Sequence, residues 1–224
     1  RTDKPLEEAI FRKISLFCNV KPDCVIENRT LKNLYEAPLM LEESGFSDVV
    51  CRELNIEASK PDLKEWEQMV DHIKNRSGEV NIGLVGKYIK LHDAYLSVAE
   101  ALNHAGYERN TFVKIHWIDS EKITKENANE MLKDMDGIII PGGFGSRGIE
   151  GMILSAKYAR ENHVPYLGIC LGMQIAVIEF ARNVVGLKDA HSGEFKETCT
   201  DKVIDFIPGQ REEKDKGGTL RLGS

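Results

Sequence analysis

The residue in this chain best suited to do chemistry is Cys170, set in Gly168-Ile169-Cys170-Leu171-Gly172. A G-x-C-x-G spacing puts a nucleophile on a sharp turn between a strand and a helix, where only glycine-sized neighbours avoid the adjacent backbone. A thiol there sits at a helix N-terminus, where unpaired N–H groups and the helix dipole favour the thiolate. Most cysteines in apolar stretches are small core residues, but two flanking glycines at a strand-to-helix switch favour the nucleophile. One β-α unit earlier, Pro141-Gly142-Gly143-Phe144-Gly145 follows a wholly apolar run. Such a loop turns backbone N–H groups outward, so that Gly143 together with the N–H of Leu171 would form an oxyanion hole. Alone, a G-G-x-G string is more often a plain chain reversal; beside the cysteine elbow it points to acyl transfer.

These residues need a frame, and the hydrophobic pattern supplies one. Val80–Val85, Phe112–Ile118, Gly137–Ile140 and Val164–Gly168 read as strands. Between and after them, Asp93–His104 with a stop at Gly106, Ala128–Met135, Glu150–Asn162 and Leu171–Asn183 read as helices. The alternation predicts an α/β fold with a doubly wound, mostly parallel sheet, whose ligands gather beyond the carboxyl ends of the strands. Upstream, Leu6–Cys18 is expected as a helix after Pro5, Val25–Ile26 as a short strand, and Leu31–Gly45 as a helix interrupted near Ala37-Pro38. Residues 56–79 turn polar and read as a linker that includes one amphipathic helix, with Leu63, Trp66, Met69, Val70 and Ile73 on its apolar face. The expected organisation is therefore residues 1–55, the linker 56–79, and a main domain over 80–224.

Bulk properties narrow the function classes. Of the 224 residues 42% are hydrophobic, enough for an ordinary core, and the net charge of -6 gives no electrostatic footprint for nucleic acid. No apolar run approaches the roughly 20 residues that span a bilayer. The five cysteines are odd in number and form no C-x-x-C pair, so neither a disulfide framework nor a metal site is suggested. With no signal peptide, a cytoplasmic setting is expected. The opening Arg1-Thr2-Asp3-Lys4-Pro5, without a Met, predicts a piece of a longer protein.

The strings around Cys170 and Gly143, extended by Met173-Gln174, resemble the class I glutamine amidotransferases, a flavodoxin-like or Rossmann-like sheet fold. Further strings resemble one branch of these, the CTP synthase family. They are Arg1-Thr2-Asp3, Lys13-Ile14-Ser15-Leu16-Phe17-Cys18, Val85-Gly86-Lys87-Tyr88, Trp117-Ile118-Asp119-Ser120, Glu179-Phe180-Ala181-Arg182-Asn183 and Gly217-Gly218-Thr219-Leu220-Arg221-Leu222-Gly223. The resemblance implies a ligase in which glutamine is hydrolysed through a cysteine thioester and the ammonia aminates ATP-activated UTP to CTP. Residues 1–55 would then end an α/β synthetase domain, and 80–224 would be an amidotransferase domain truncated at its C-terminus.

Residue by residue, the resemblance makes Cys170 the nucleophile, Gly143 and Leu171 the oxyanion donors, and Gly142, Gln174, Glu194 and Arg221 the glutamine-binding groups. Arg1, Lys13, Phe17, Arg29 and Leu31 match nucleotide-contacting positions for UTP, CTP or ATP, and Phe144 with Arg221 the region where GTP activates hydrolysis. It further implies ATP with Mg2+ held mostly outside this chain, CTP as feedback inhibitor, and a homotetramer. On residue type alone Glu194 reads as a solvated acid, Lys13 as a surface lysine and Phe17 as a core aromatic. The family pattern before the acid is Asn-Ser-Thr, whereas this chain has His191-Ser192-Gly193. The family's phosphate loop would lie before Arg1 and its activating His-Glu pair after Ser224, so the isolated piece is expected to be a poor glutaminase. Two other readings of the elbow are a different cysteine hydrolase on the same sheet, which leaves residues 1–78 without a use, and a regulatory or filament-forming module with an inert Cys170.

Overall fold

The structure, a computed structural model, describes residues 2–206. It divides into two compact units that part between Arg76 and Ser77.

The first unit is helical. Helix α1 (Glu8–Cys18) follows Pro5 as its spacing predicts and ends on Asn19 in the left-handed conformation. Val25 and Ile26 form no strand, which corrects the expectation. They follow a 3-10 turn at Pro22–Cys24, and the extended pairing nearby is a single bridge between Thr2 and Arg29. Pro38 does not interrupt a helix but lies in the first turn of α2 (Ala37–Glu43), where a missing N–H costs nothing. Gly45, at φ 75°, ends α2 and opens α3 (Phe46–Leu54), a helix absent from the sequence expectations. Helix α4 (Lys64–Lys74) forms within the stretch read as a linker. It is tied into this unit: Trp66 Nε1 donates to the Tyr35 carbonyl at 2.7 Å, Lys74 pairs with Glu36 at 2.7 Å, and Val70 and Ile73 are buried.

The second unit is the parallel sheet. In chain order it comprises β1 (Gly78–Gly86), α5 (Leu96–Glu108), β2 (Thr111–Asp119), α6 (Ala128–Leu132), β3 (Gly137–Ile140), α7 (Ile149–Glu161), β4 (Tyr166–Gly168) and α8 (Leu171–Phe180). The strand order is β2-β1-β3-β4 and every pairing is parallel. Alternate side chains feed two cores, one on each face, which makes the sheet doubly wound. Val85, Ile138 and Ile140 pack with Ile153, Ile175 and Ile178 of α7 and α8, while Leu84 and Ile139 pack with Tyr95 and with Val98 and Leu102 of α5. From β1 the chain goes to β2 on one side and then crosses to β3 on the other, so the topological switch point lies between the ends of β1 and β3.

Helix α5 runs through Gly106 instead of stopping there, because this glycine serves packing. A methyl group at Gly106 would stand 2.6 Å from the Thr111 carbonyl oxygen of β2. Helix α8 continues as a π turn at Ala181–Val185. A separate parallel pair, β5 (His191–Ser192) and β6 (Lys202–Ile204), follows and was not foreseen from the sequence.

Candidate active site

Cys170 immediately precedes α8 in the turn after β4, and its backbone stands at φ 51°, ψ −100°. A non-glycine residue there is strained and must be held by its surroundings. The Ile169 N–H donates to the Ile140 carbonyl at 2.9 Å, the Gly172 N–H to Ile169 at 3.0 Å, and the Tyr166 hydroxyl to the Gly172 carbonyl at 2.7 Å. Both flanking glycines are sterically required. A methyl group at Gly168 would stand 2.3 Å from the Gly172 carbonyl carbon, and one at Gly172 would stand 2.0 Å from the Ile140 oxygen. Leu171 and Ile175 anchor the helix in the core while the Cys170 side is exposed. The thiol is thus presented at the surface on a fixed turn.

The loop after β3 lies against it. A methyl group at Gly142 would be 3.7 Å from Cys170 Cβ, and one at Gly143 would be 3.4 Å from Leu171 Cδ2. Leu171 is the first residue of α8, so its N–H has no partner within the helix. Cys170, Gly142, Gly143 and Leu171 are therefore together. Gln174 enters one turn further along α8 and is 5% exposed.

Lys87, which the sequence offered only as part of a resembling string, organises the rest. It follows β1 at the switch point, is 4% exposed, and its Nζ donates to the carbonyl of Phe144 at 3.0 Å and to that of Gly145. Burial lowers its pKa, and the nearby Glu194 carboxylate opposes that shift. Its ammonium also lies 5.7 Å from the centre of the Phe195 ring. Arg147 braces the same place from outside, donating to the Lys87 carbonyl at 3.0 Å and pairing with Glu121. Glu194 and the Gly142–Gly145 loop thus meet around one buried cation. Phe144 projects outward, 57% exposed. A lysine directly after an apolar strand, next to Gly86, was the available signal.

Of the positions matched to nucleotides, Lys13 and Phe17 lie one turn apart on α1 and both are exposed. Arg29 pairs with Glu27 at 3.3 Å, and Leu31 is half-buried beyond it. Arg1, Arg221 and the loop 217–223 lie outside the described residues. Among the histidines, His92 stacks on Trp117, His104 faces Glu100, His116 bonds Asn81 and His191 bonds Ser192.

Residues 90–224 match the family described as Glutamine amidotransferase class-I, and residues 1–56 match the CTP synthase N-terminus. The CTP synthase of Clostridium acetobutylicum is 54% identical over 223 residues, covering 100% of this chain and 42% of that protein. The CTP synthase of Carboxydothermus hydrogenoformans is 55% identical with the same coverage. The chain thus spans 42% of the length of these relatives. A solved structure of the Trypanosoma brucei CTPS glutaminase domain with bound acivicin is similar at a TM-score of 0.54 and 43% identity. That match covers 58% of this chain and 50% of that one.

Proposed function

The chain belongs to the class-I glutamine amidotransferases, with a CTP synthase N-terminus ahead of the amidotransferase domain, and from that premise we propose that it is the glutamine-hydrolysing part of a CTP synthase. The observation that carries this reading is Cys170, exposed on a strained elbow beside Gly142 at the start of α8.

In the proposed reaction the Cys170 sulfur attacks the side-chain amide carbon of glutamine. As the C–S bond forms, the carbonyl oxygen takes up negative charge, for which Gly143 and Leu171 N–H groups are the donors. The C–N bond then breaks, the nitrogen leaves as ammonia after gaining a proton, and a thioester remains. Water attacks the thioester, giving glutamate and the free thiol. Glu194 would hold the substrate's ammonium, Gln174 its polar groups and Arg221 its carboxylate, with Gly142 lining the floor. The base that takes the thiol proton comes from beyond the described residues.

The ammonia is proposed to aminate UTP at a second site, toward which Arg1, Lys13, Phe17, Arg29 and Leu31 contribute. ATP with Mg2+ would supply the activating phosphoryl group there. Among the described residues no cluster of three or more His, Cys, Asp or Glu suits a metal. GTP activation near Phe144 and Arg221, feedback by CTP, a homotetramer and a cytoplasmic setting complete the proposal. Among the described residues no helix is long and apolar enough to cross a membrane.

The test is CTP formation by the intact enzyme with glutamine and, separately, with ammonia. Cys170→Ala is expected to abolish the first and keep the second. Survival of the glutamine reaction would refute the assignment of the nucleophile.

A further inference from the structure

The turn carrying Glu194 is built around one buried residue. Ser192 is fully buried; its carbonyl accepts from the N–H groups of Phe195 and Lys196 at 3.1 and 3.0 Å, and its hydroxyl accepts from the Glu194 N–H at 3.2 Å. The Ser192 N–H goes to Nδ1 of His191 at 2.9 Å. That bond requires a lone pair on Nδ1, so the ring is neutral with its proton on Nε2. Nε2 faces the Glu150 carboxylate at 3.7 Å, and the ring meets Phe195 edge-on. Protonation of Nδ1 would set one N–H against another where the residue is 8% exposed, leaving the Ser192 donor buried and unpaired.

Resting on the reading that Glu194 holds the glutamine ammonium, we infer that neutral His191 positions the Glu194 turn, so that glutamine binding weakens when this ring takes up a proton. The charged groups around the ring come from every neighbouring element. Glu150 stands on α7, Arg182 follows α8 and is bonded to Glu150 at 2.9 Å, Asp189 and Lys196 flank the ring in sequence, and Lys202 is its register partner on β6. Burial, then Arg182, holds the ring's pKa below its ordinary value against the pull of Glu150; Lys196 adds to the lowering and Asp189 opposes it. The neutral ring is therefore the working form near neutrality, and acid displaces it.

The experiment compares KM and kcat for glutamine in the intact enzyme from about pH 5 to 8, the range in which a histidine switches charge. His191→Asn places an amide oxygen at the position of Nδ1 and does not titrate; His191→Gln places its amide where Nε2 was. For the wild type, KM for glutamine rises toward about tenfold per pH unit below the ring's pKa, as a single-proton switch requires. His191→Asn flattens that rise, and His191→Gln raises KM across the whole range. Changes in kcat common to all three belong to the cysteine and its base. The ammonia-dependent rate of each variant reports that it has folded. Glutamine turnover with the same KM profile in wild type and His191→Asn would overturn this inference alone. Absence of glutamine turnover in the wild type would overturn the functional reading and this inference with it.

Discussion

Lys87→Met asks whether the buried ammonium is what holds the oxyanion loop. Methionine keeps much of the stem's length and removes the donors to the Phe144 and Gly145 carbonyls. A buried acceptor left without its donor costs about 1–3 kcal/mol. Both residues are exposed, so water takes over part of the bonding, and the loss falls to about 1 kcal/mol each at most. Removing a cation that burial already disfavours offsets some of this, so the fold should survive with a deficit of about 1–2 kcal/mol. The catalytic effect is expected to be larger. Loss of one oxyanion donor costs about 100- to 1,000-fold in kcat, and a loop that still samples its position retains part of that, giving about 10- to 100-fold. The assay is kcat for glutamine-dependent CTP formation, divided by the ammonia-dependent rate of the same preparation. A fall in kcat with KM little changed supports the loop argument. An unchanged kcat would refute it, and a rise in KM alone would place the role of Lys87 at Glu194 instead.

The elbow glycines should be intolerant for a steric reason. Gly172→Ala drives a methyl group to 2.0 Å from the Ile140 oxygen and should cost more than about 3 kcal/mol in urea unfolding. Gly145→Ala, at φ 76° with open space around it, should cost only the roughly 1–2 kcal/mol of a left-handed alanine. Equal losses would show that backbone strain, not the approach of β3, sets the requirement. Arg160 holds the buried Glu179 carboxylate through bonds of 2.9–3.1 Å. Arg160 keeps 34% of its side chain exposed, so Arg160→Met should cost about 2 kcal/mol, below the 3–5 of a fully buried pair. Adding Glu179→Gln should recover much of that loss; no recovery would mean that packing of the arginine stem matters more than charge.

What was legible in the sequence follows from how local each constraint is. The Cys170 elbow could be read because its requirement spans five residues: Gly168 and Gly172 must be bare whatever the remainder of the chain does. The Gly142-Gly143 loop was legible for the same reason, β3 because its apolar run is continuous, and β2 because apolar and polar residues alternate along Phe112–Ile118. Gly106 misled because a glycine inside a helix pattern looks like a terminator, whereas here its reason lies across space in β2. Pro38 misled in the opposite direction, since a proline reads alike as a break or as a first turn until the helix's start is known. Lys87 is the decisive case. As a residue type it belongs at the surface, and its burial depends on β1 pairing with both β2 and β3, which places the end of β1 beside the loop after β3. Strand order is a property of the whole sheet, so no window of sequence around Lys87 contains it. His191 is hidden in the same way, because its need to stay neutral comes from burial, from Arg182 on another element and from a backbone donor one residue on, against the pull of Glu150. Candidate reactive residues can therefore be picked out from spacing alone, while the residues that brace their surroundings emerge only once the strands have been ordered.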